Sequence, residues 1–144
     1  MVAVFHRSDG NIITRLALRR HLSDRYDIVL KTYHGSCHCG AVRFEADIDL
    51  NLGTSRCNCS FCVKARAWKA FVKPAAFRVV AGEERAIPYH RGKQAPLKFH
   101  CATCGVHTHE RGDADYMGGP FVGVFVAALD DATPEELSAA RCDT

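Results

Sequence analysis

In the stretch RCNCSFC, Arg56 to Cys62, three cysteines fall within six residues, Cys57, Cys59 and Cys62. Four more form two pairs, Cys37-x-Cys39 in GSCHCG and Cys101-x-x-Cys104 in CATCG, and the eighth, Cys142, stands alone near the end. An even number of cysteines invites disulfides, but no secretory signal is legible, so the expected compartment is the reducing cytoplasm, where thiols persist as such or as metal ligands. Short chelating clusters lose little chain entropy on closing round an ion. Zinc is the expected metal, because C-x-C-x-x-C does not match the common iron–sulfur spacings.

Seven thiolates divide most naturally as four plus three. Cys37, Cys39, Cys101 and Cys104 would make a closed structural zinc site that pins an early strand pair to a late one, so that binding energy becomes folding energy. Cys57, Cys59 and Cys62 would hold a second zinc with its fourth position open to water or substrate. Spacing leaves another possibility, a second closed site completed by His100, His107, His109 or Cys142.

Three thiolates on a divalent zinc carry a formal charge of −1, so bound water is polarised less than by three neutral imidazoles. Hydrolysis is not its natural task. A thiol entering the open position would ionise to a nucleophile near neutral pH, which suits making or breaking a bond between sulfur and an electrophilic carbon.

Elements that hold these clusters are short strands. YDIVLKTY (Tyr26–Tyr33) and AVRFEADI (Ala41–Ile48) alternate apolar and polar residues around the first cluster. The segment after Cys62 opens as a helical turn and becomes strand-like from Trp68 until Pro74; FRVVAG, AIPYH and LKFH are further strands, and VHTHER leaves the third cluster extended. GGPFVGVFVAAL is apolar on both faces and reads as a central strand. Thr133, Pro134 and Glu136 form a capping box that opens a short helix. The expected class is mainly antiparallel β with one or two short helices.

At 144 residues, 47% hydrophobic and 24% charged, the chain has one domain's worth of ordinary globular sequence. Residues 1–22 read as an N-terminal extension and 23–144 as the domain. The extension carries one acid, Asp9, among several arginines, without the apolar run or cleavage site of a secretory signal. A net charge of +3, spread along the chain, gives nucleic-acid binding no support. The longest apolar run, near FVGVFVAAL, falls well short of the roughly 20 residues a membrane helix needs.

The segments GSCHCGAVRFEA, RCNCSFCVKARAW with FVKPAAFRVVAGEE, FHCATCGVHTHERGD and GGPFVGVFVAALDDATPEEL together resemble the glutathione-dependent formaldehyde-activating enzyme family, also called the centromere protein V/Gfa domain. The resemblance runs from about Gly35 to Leu137. It implies an Mss4-like β fold and a carbon–sulfur lyase-type reaction, formaldehyde plus glutathione giving S-hydroxymethylglutathione. It also implies two zincs, structural on Cys37, Cys39, Cys101 and Cys104, active on Cys57, Cys59 and Cys62. The chain departs from the family pattern at Phe125, where many relatives carry Asn, which removes an amide from a position expected to face the site.

Lys64, Arg66 and Lys69 are candidates to attract the carboxylates of a peptide thiol, against the plainer role of solvated surface. Trp68 reads as a core aromatic or a pocket wall, and His38 as solvent-facing. His107 and His109, two apart on an expected strand, would share a face and serve as a proton relay or pack structurally. Two function classes follow: a zinc enzyme acting on a small thiol and a carbonyl compound, or a zinc-stabilised β module that binds a protein or nucleic acid. Three cysteines rather than four in the middle cluster favour the enzyme. Phe125 favours the module.

Overall fold

The structure, a computed structural model, describes residues 29–90, 92–93 and 95–143. The N-terminal extension and the start of the first expected strand lie outside the described residues. Among the described residues, ten strands form two sheets: β1 (Lys31–Ser36), β2 (Arg43–Ile48), β3 (Thr54–Ser55), β4 (Lys69–Val72), β5 (Phe77–Ala81), β6 (Ala86–Tyr89), β7 (Leu97–Cys101), β8 (His107–Ala114), β9 (Gly119–Phe125) and β10 (Cys142–Asp143). Helices are α1 (Ser60–Lys64) and α2 (Pro134–Ala139), with several single 3-10 turns between strands. The fold is mainly β, as the alternation predicts.

A small sheet has the order β1-β2-β5, and a larger one β10-β3-β4-β9-β8-β7-β6. All pairings are antiparallel except β10 on β3. β9 lies between β4 and β8, and Phe121 to Phe125 are buried without interruption, which is why this strand reads as apolar on both faces. The main core gathers Tyr33, Phe44 and Phe77 of the small sheet with Val122, Val124 and Phe125 of the large one. A second, smaller cluster joins Cys37 and Val42 to Ala86 and Cys101.

Gly82 fixes one of the approaches between elements. Its φ of 72° is left-handed, and a Cβ there would lie 1.8 Å from the carbonyl oxygen of Ala41, so only glycine lets the end of β5 pass the turn before β2.

The capping box is present in full. Thr133 Oγ1 accepts from the Glu136 N–H at 3.2 Å, and Glu136 Oε2 accepts from the Thr133 N–H at 2.8 Å. Glu136 also pairs with Lys31 at 2.9 Å, tying α2 to β1. Thr133→Ala is expected to cost about 1 kcal/mol in urea unfolding, a typical value for a lost N-cap. A midpoint equal to wild type would show that α2 contributes nothing to the cooperative fold.

One expectation is corrected. His107 and His109 do not share a face, because β8 is bulged against β7: Phe99 pairs with His109 but His100 with His107, leaving Thr108 as the extra residue. His107 stacks on Phe125 and meets the edge of Phe61, whereas His109 stacks on Phe99 and packs on Phe77.

Candidate metal centres

The turn after β1 carries Cys37 and Cys39; the end of β7 and the knuckle beyond it carry Cys101 and Cys104. The four sulfurs lie within 4.8 Å of one another. Cys37 Sγ is 3.6 Å from Cys39 Sγ, which is 3.7 Å from Cys101 Sγ. Tetrahedral zinc with Zn–S bonds of about 2.3 Å requires sulfurs about 3.8 Å apart, so the donor set fits the ion in both chemistry and spacing. Backbone N–H groups support the sulfurs: Val42 donates to Cys37 at 3.3 Å and Thr103 to Cys101 at 3.4 Å. The Cys104 N–H, with that of Thr103, lowers the Cys101 thiol to about 6, so it is anionic at neutral pH.

Cys57, Cys59 and Cys62 form the second group, again within 4.8 Å. Cys57 sits in the loop after β3, Cys59 is the N-cap of α1, and Cys62 lies inside that helix. This local path explains the spacing: the chain is extended at Cys59 (φ −65°, ψ 156°) and then coils, which turns Cys62 back toward Cys57. The Cys62 N–H at the helix start lowers the Cys59 thiol to about 6, while burial pushes Cys62 up to about 12. Such a group offers a ready anionic sulfur at Cys59 and holds Cys62 protonated until a cation arrives. Its donor set likewise fits zinc.

Among the described residues, none of His100, His107, His109 or Cys142 joins the second group. Cys142 is exposed on β10. His107 is packed among aromatics, and burial lowers its pKa. His109 is buried between Phe77 and Phe99, with its Nδ1 3.0 Å from Thr108 Oγ1; burial lowers it to about 3, so the ring is neutral.

Beside the second group opens a cleft of about 510 Å³ lined by Cys57, Cys62, Arg56, Arg66, Trp68 and Ala127 among others. Trp68 is therefore a wall. Its Nε1 donates to Thr54 Oγ1 at 2.6 Å, which fixes the ring, and the Arg56 guanidinium lies over that ring at 4.7 Å. Arg66 ends α1 in the left-handed region at φ 51°. Sequence pattern does not distinguish Arg56: its place in RCNCSFC is the available signal, but a basic residue beside cysteine has no distinguishing pattern until the Trp68 ring is placed.

The other candidates separate. Lys64 lies on a different groove of about 380 Å³, with Phe61, Tyr89 and His107. Lys69 is buried, and its ammonium donates to Glu110 at 2.7 Å rather than projecting into solvent. Phe125 is buried and stacked on His107; Ala127, two residues on, reaches the cleft instead. His38 is exposed, as expected.

The family model for the glutathione-dependent formaldehyde-activating enzyme matches residues 32–141. The chain belongs to this family. A crystal structure of a Rhodobacter sphaeroides protein is similar to it, with 32% identity and a TM-score of 0.64 over 76% of this chain and 99% of that one. Members of the glutathione-dependent formaldehyde-activating enzyme family are enzymes, and the mainly β architecture fits the family's Mss4-like fold. No described helix is long and apolar enough to cross a membrane.

Proposed function

We propose that this chain is a zinc-dependent carbon–sulfur lyase-type enzyme that joins glutathione, or a closely related thiol, to formaldehyde or a related carbonyl compound, and releases them in reverse. The observation that carries the reading is the three-sulfur group without a fourth described protein donor, opening on a cleft with two arginines. Zinc held by Cys57, Cys59 and Cys62 would supply the Lewis acidity that lowers the pKa of an entering thiol.

The chain's own residues do the rest. Arg56 and Arg66 present guanidinium groups to the carboxylates of a peptide thiol, and such charge-assisted bonds orient the sulfur as well as bind it. Trp68 and Ala127 shape the wall and displace water from the carbon. In the forward direction the thiol S–H gives its proton to solvent in the cleft, sulfur attacks the carbonyl carbon, and the oxygen gains a proton from water; the sum is RSH plus CH₂O giving RSCH₂OH. Neither His107 nor His109 lines this cleft, so the proton route does not pass through them.

The direct test is exchange NMR on formaldehyde and glutathione at equilibrium, where metal-loaded protein is expected to broaden the hemithioacetal resonances and metal-free protein is not. Equal exchange with and without the loaded protein would remove the reading. Arg56→Gln or Arg66→Gln is expected to raise KM for glutathione about tenfold with kcat retained. The same variants should leave a neutral thiol such as 2-mercaptoethanol unaffected. Equal losses on both thiols would deny the arginines a part in recognition.

A further inference from the structure

On the face of β8 opposite His109 lies a buried ion cluster that the reaction above does not use. Glu110 is 2% exposed, Lys98 4% and Lys69 5%. Lys69 Nζ donates to Glu110 Oε1 at 2.7 Å, and Lys98 Nζ is 3.1 Å from Oε2. The fold makes room for this carboxylate: Gly123 pairs with Glu110 across β9, and a Cβ at 123 would lie 2.7 Å from Glu110 Cγ.

Two ammonium groups and one carboxylate leave a net charge of +1. Burying an unbalanced charge is costly, and among the described residues neither lysine has a second carboxylate partner. Lys69 directly follows Trp68, which lines the cleft together with Cys57 and Cys62, and the sulfurs of those two cysteines, as metal-bound thiolates, would be the next negative charges after Glu110 to favour its ammonium. Lys98 Nζ lies 5.0 Å over the ring of Phe61, the neighbour of Cys62 in α1. A divalent ion on three thiolates carries a formal −1; with Glu110 that makes −2, set against +2 from the lysines. Counted together with the metal centre, the buried ion cluster is balanced.

We propose that Lys69 is a positioning residue of the three-cysteine centre, fixed by Glu110 so that its ammonium neutralises the formal charge of a divalent metal on Cys57, Cys59 and Cys62. The inference rests on that group holding a divalent metal, and not on the reaction. Lys69 also reduces the repulsion that a fourth, incoming thiolate meets, because entry of that ligand takes the centre from −1 to −2. A buried cation at this place serves the metal, whereas an exposed one would be screened by solvent.

The test is metal affinity at the second site, measured by chelator competition on the full chain loaded with zinc or cobalt. The four-cysteine site is the internal control, and cobalt–thiolate absorption is the spectroscopic signature. Lys69→Met is expected to weaken the second metal roughly 10- to 100-fold, the usual range for a lost partner outside the ligand shell. Glu110→Gln removes a negative charge and keeps both lysines, so the second metal should bind as tightly as in wild type or more so, even if the fold is less stable. A purely structural role for the cluster predicts that both variants loosen the metal alike.

If Lys69→Met does not fold, the double variant Lys69→Met/Glu110→Gln removes the ion pair as a unit. It should bind the second metal more weakly than Glu110→Gln alone by the same factor. Unchanged affinity in either comparison overturns the inference, as does a parallel loss in Glu110→Gln. Wild-type protein that retains a single metal would overturn both this inference and the functional reading, whereas two metals with an indifferent Lys69→Met would overturn this one alone.

Discussion

Cys101→Ser is expected to reduce the folded yield to a small fraction of wild type and to remove the metal of the four-cysteine site. The reason is where the ligands sit. Cys39 and Cys101 are 62 residues apart in sequence and 3.7 Å apart at their sulfurs, so an ion there closes nearly half of the chain into one loop. Cys37 and Cys101 also belong to the small cluster that joins the turn between β1 and β2 to β6 and β7. Binding energies of structural zinc, about 10–16 kcal/mol in small domains, equal or exceed the roughly 5–15 kcal/mol by which whole domains are stable. A serine hydroxyl is a poor replacement for a thiolate already held anionic by backbone N–H groups. Soluble, cooperatively unfolding Cys101→Ser protein with undiminished zinc by elemental analysis would sink the structural assignment. Cys142→Ser is the matched control, since that thiol is exposed and belongs to neither group.

Cys59→Ser should behave in the opposite sense: a folded domain, one metal in place of two, and no detectable acceleration of thiol–aldehyde exchange. Its three sulfurs come from one short loop and the first turn of α1, so a metal there closes only a few residues. Loop-closure entropy differs between the two centres by about 2 kcal/mol on length alone. The greater difference is that no distant strands depend on the second group. Cys59 is also the thiol that the helix start holds ionised, down to about 6, so its loss removes the group's ready anionic donor. Circular dichroism, metal content and exchange NMR on one preparation decide the matter. A Cys59→Ser chain that unfolds as thoroughly as Cys101→Ser would mean that the second group is structural. Retained exchange activity in a folded variant with one metal would mean that the chemistry lies elsewhere.

Much of this molecule is written in short-range pattern. The C-x-C, C-x-C-x-x-C and C-x-x-C clusters allow the four-plus-three division because each cluster is its own chelate, whatever the rest of the chain does. Period-two alternation locates β2, turn signals bound the short segments that become β5 and β7, and continuous apolarity marks β9 as central, because a strand covered on both faces has no polar side to show. The capping box at Thr133 and Glu136 is equally local, complete within four residues.

What required the tertiary structure is everything decided by a neighbour from elsewhere in the chain. Alternation placed His107 and His109 on one face, but a single extra residue, Thr108, against β7 puts them on opposite faces; register is a property of two strands and not of one. Lys69 reads as a surface cation beside a cysteine cluster until Glu110, 41 residues away, takes its ammonium into the core. Trp68 and Arg56 become a cleft wall only once Thr54 fixes the indole, and Phe125 leaves the cleft to Ala127 because the strand ends in a 3-10 turn. Chelate spacing is set by covalent reach along the backbone, and so the sequence carries it. The identity of a side chain's partner depends on which strands lie side by side, and so the fold decides it.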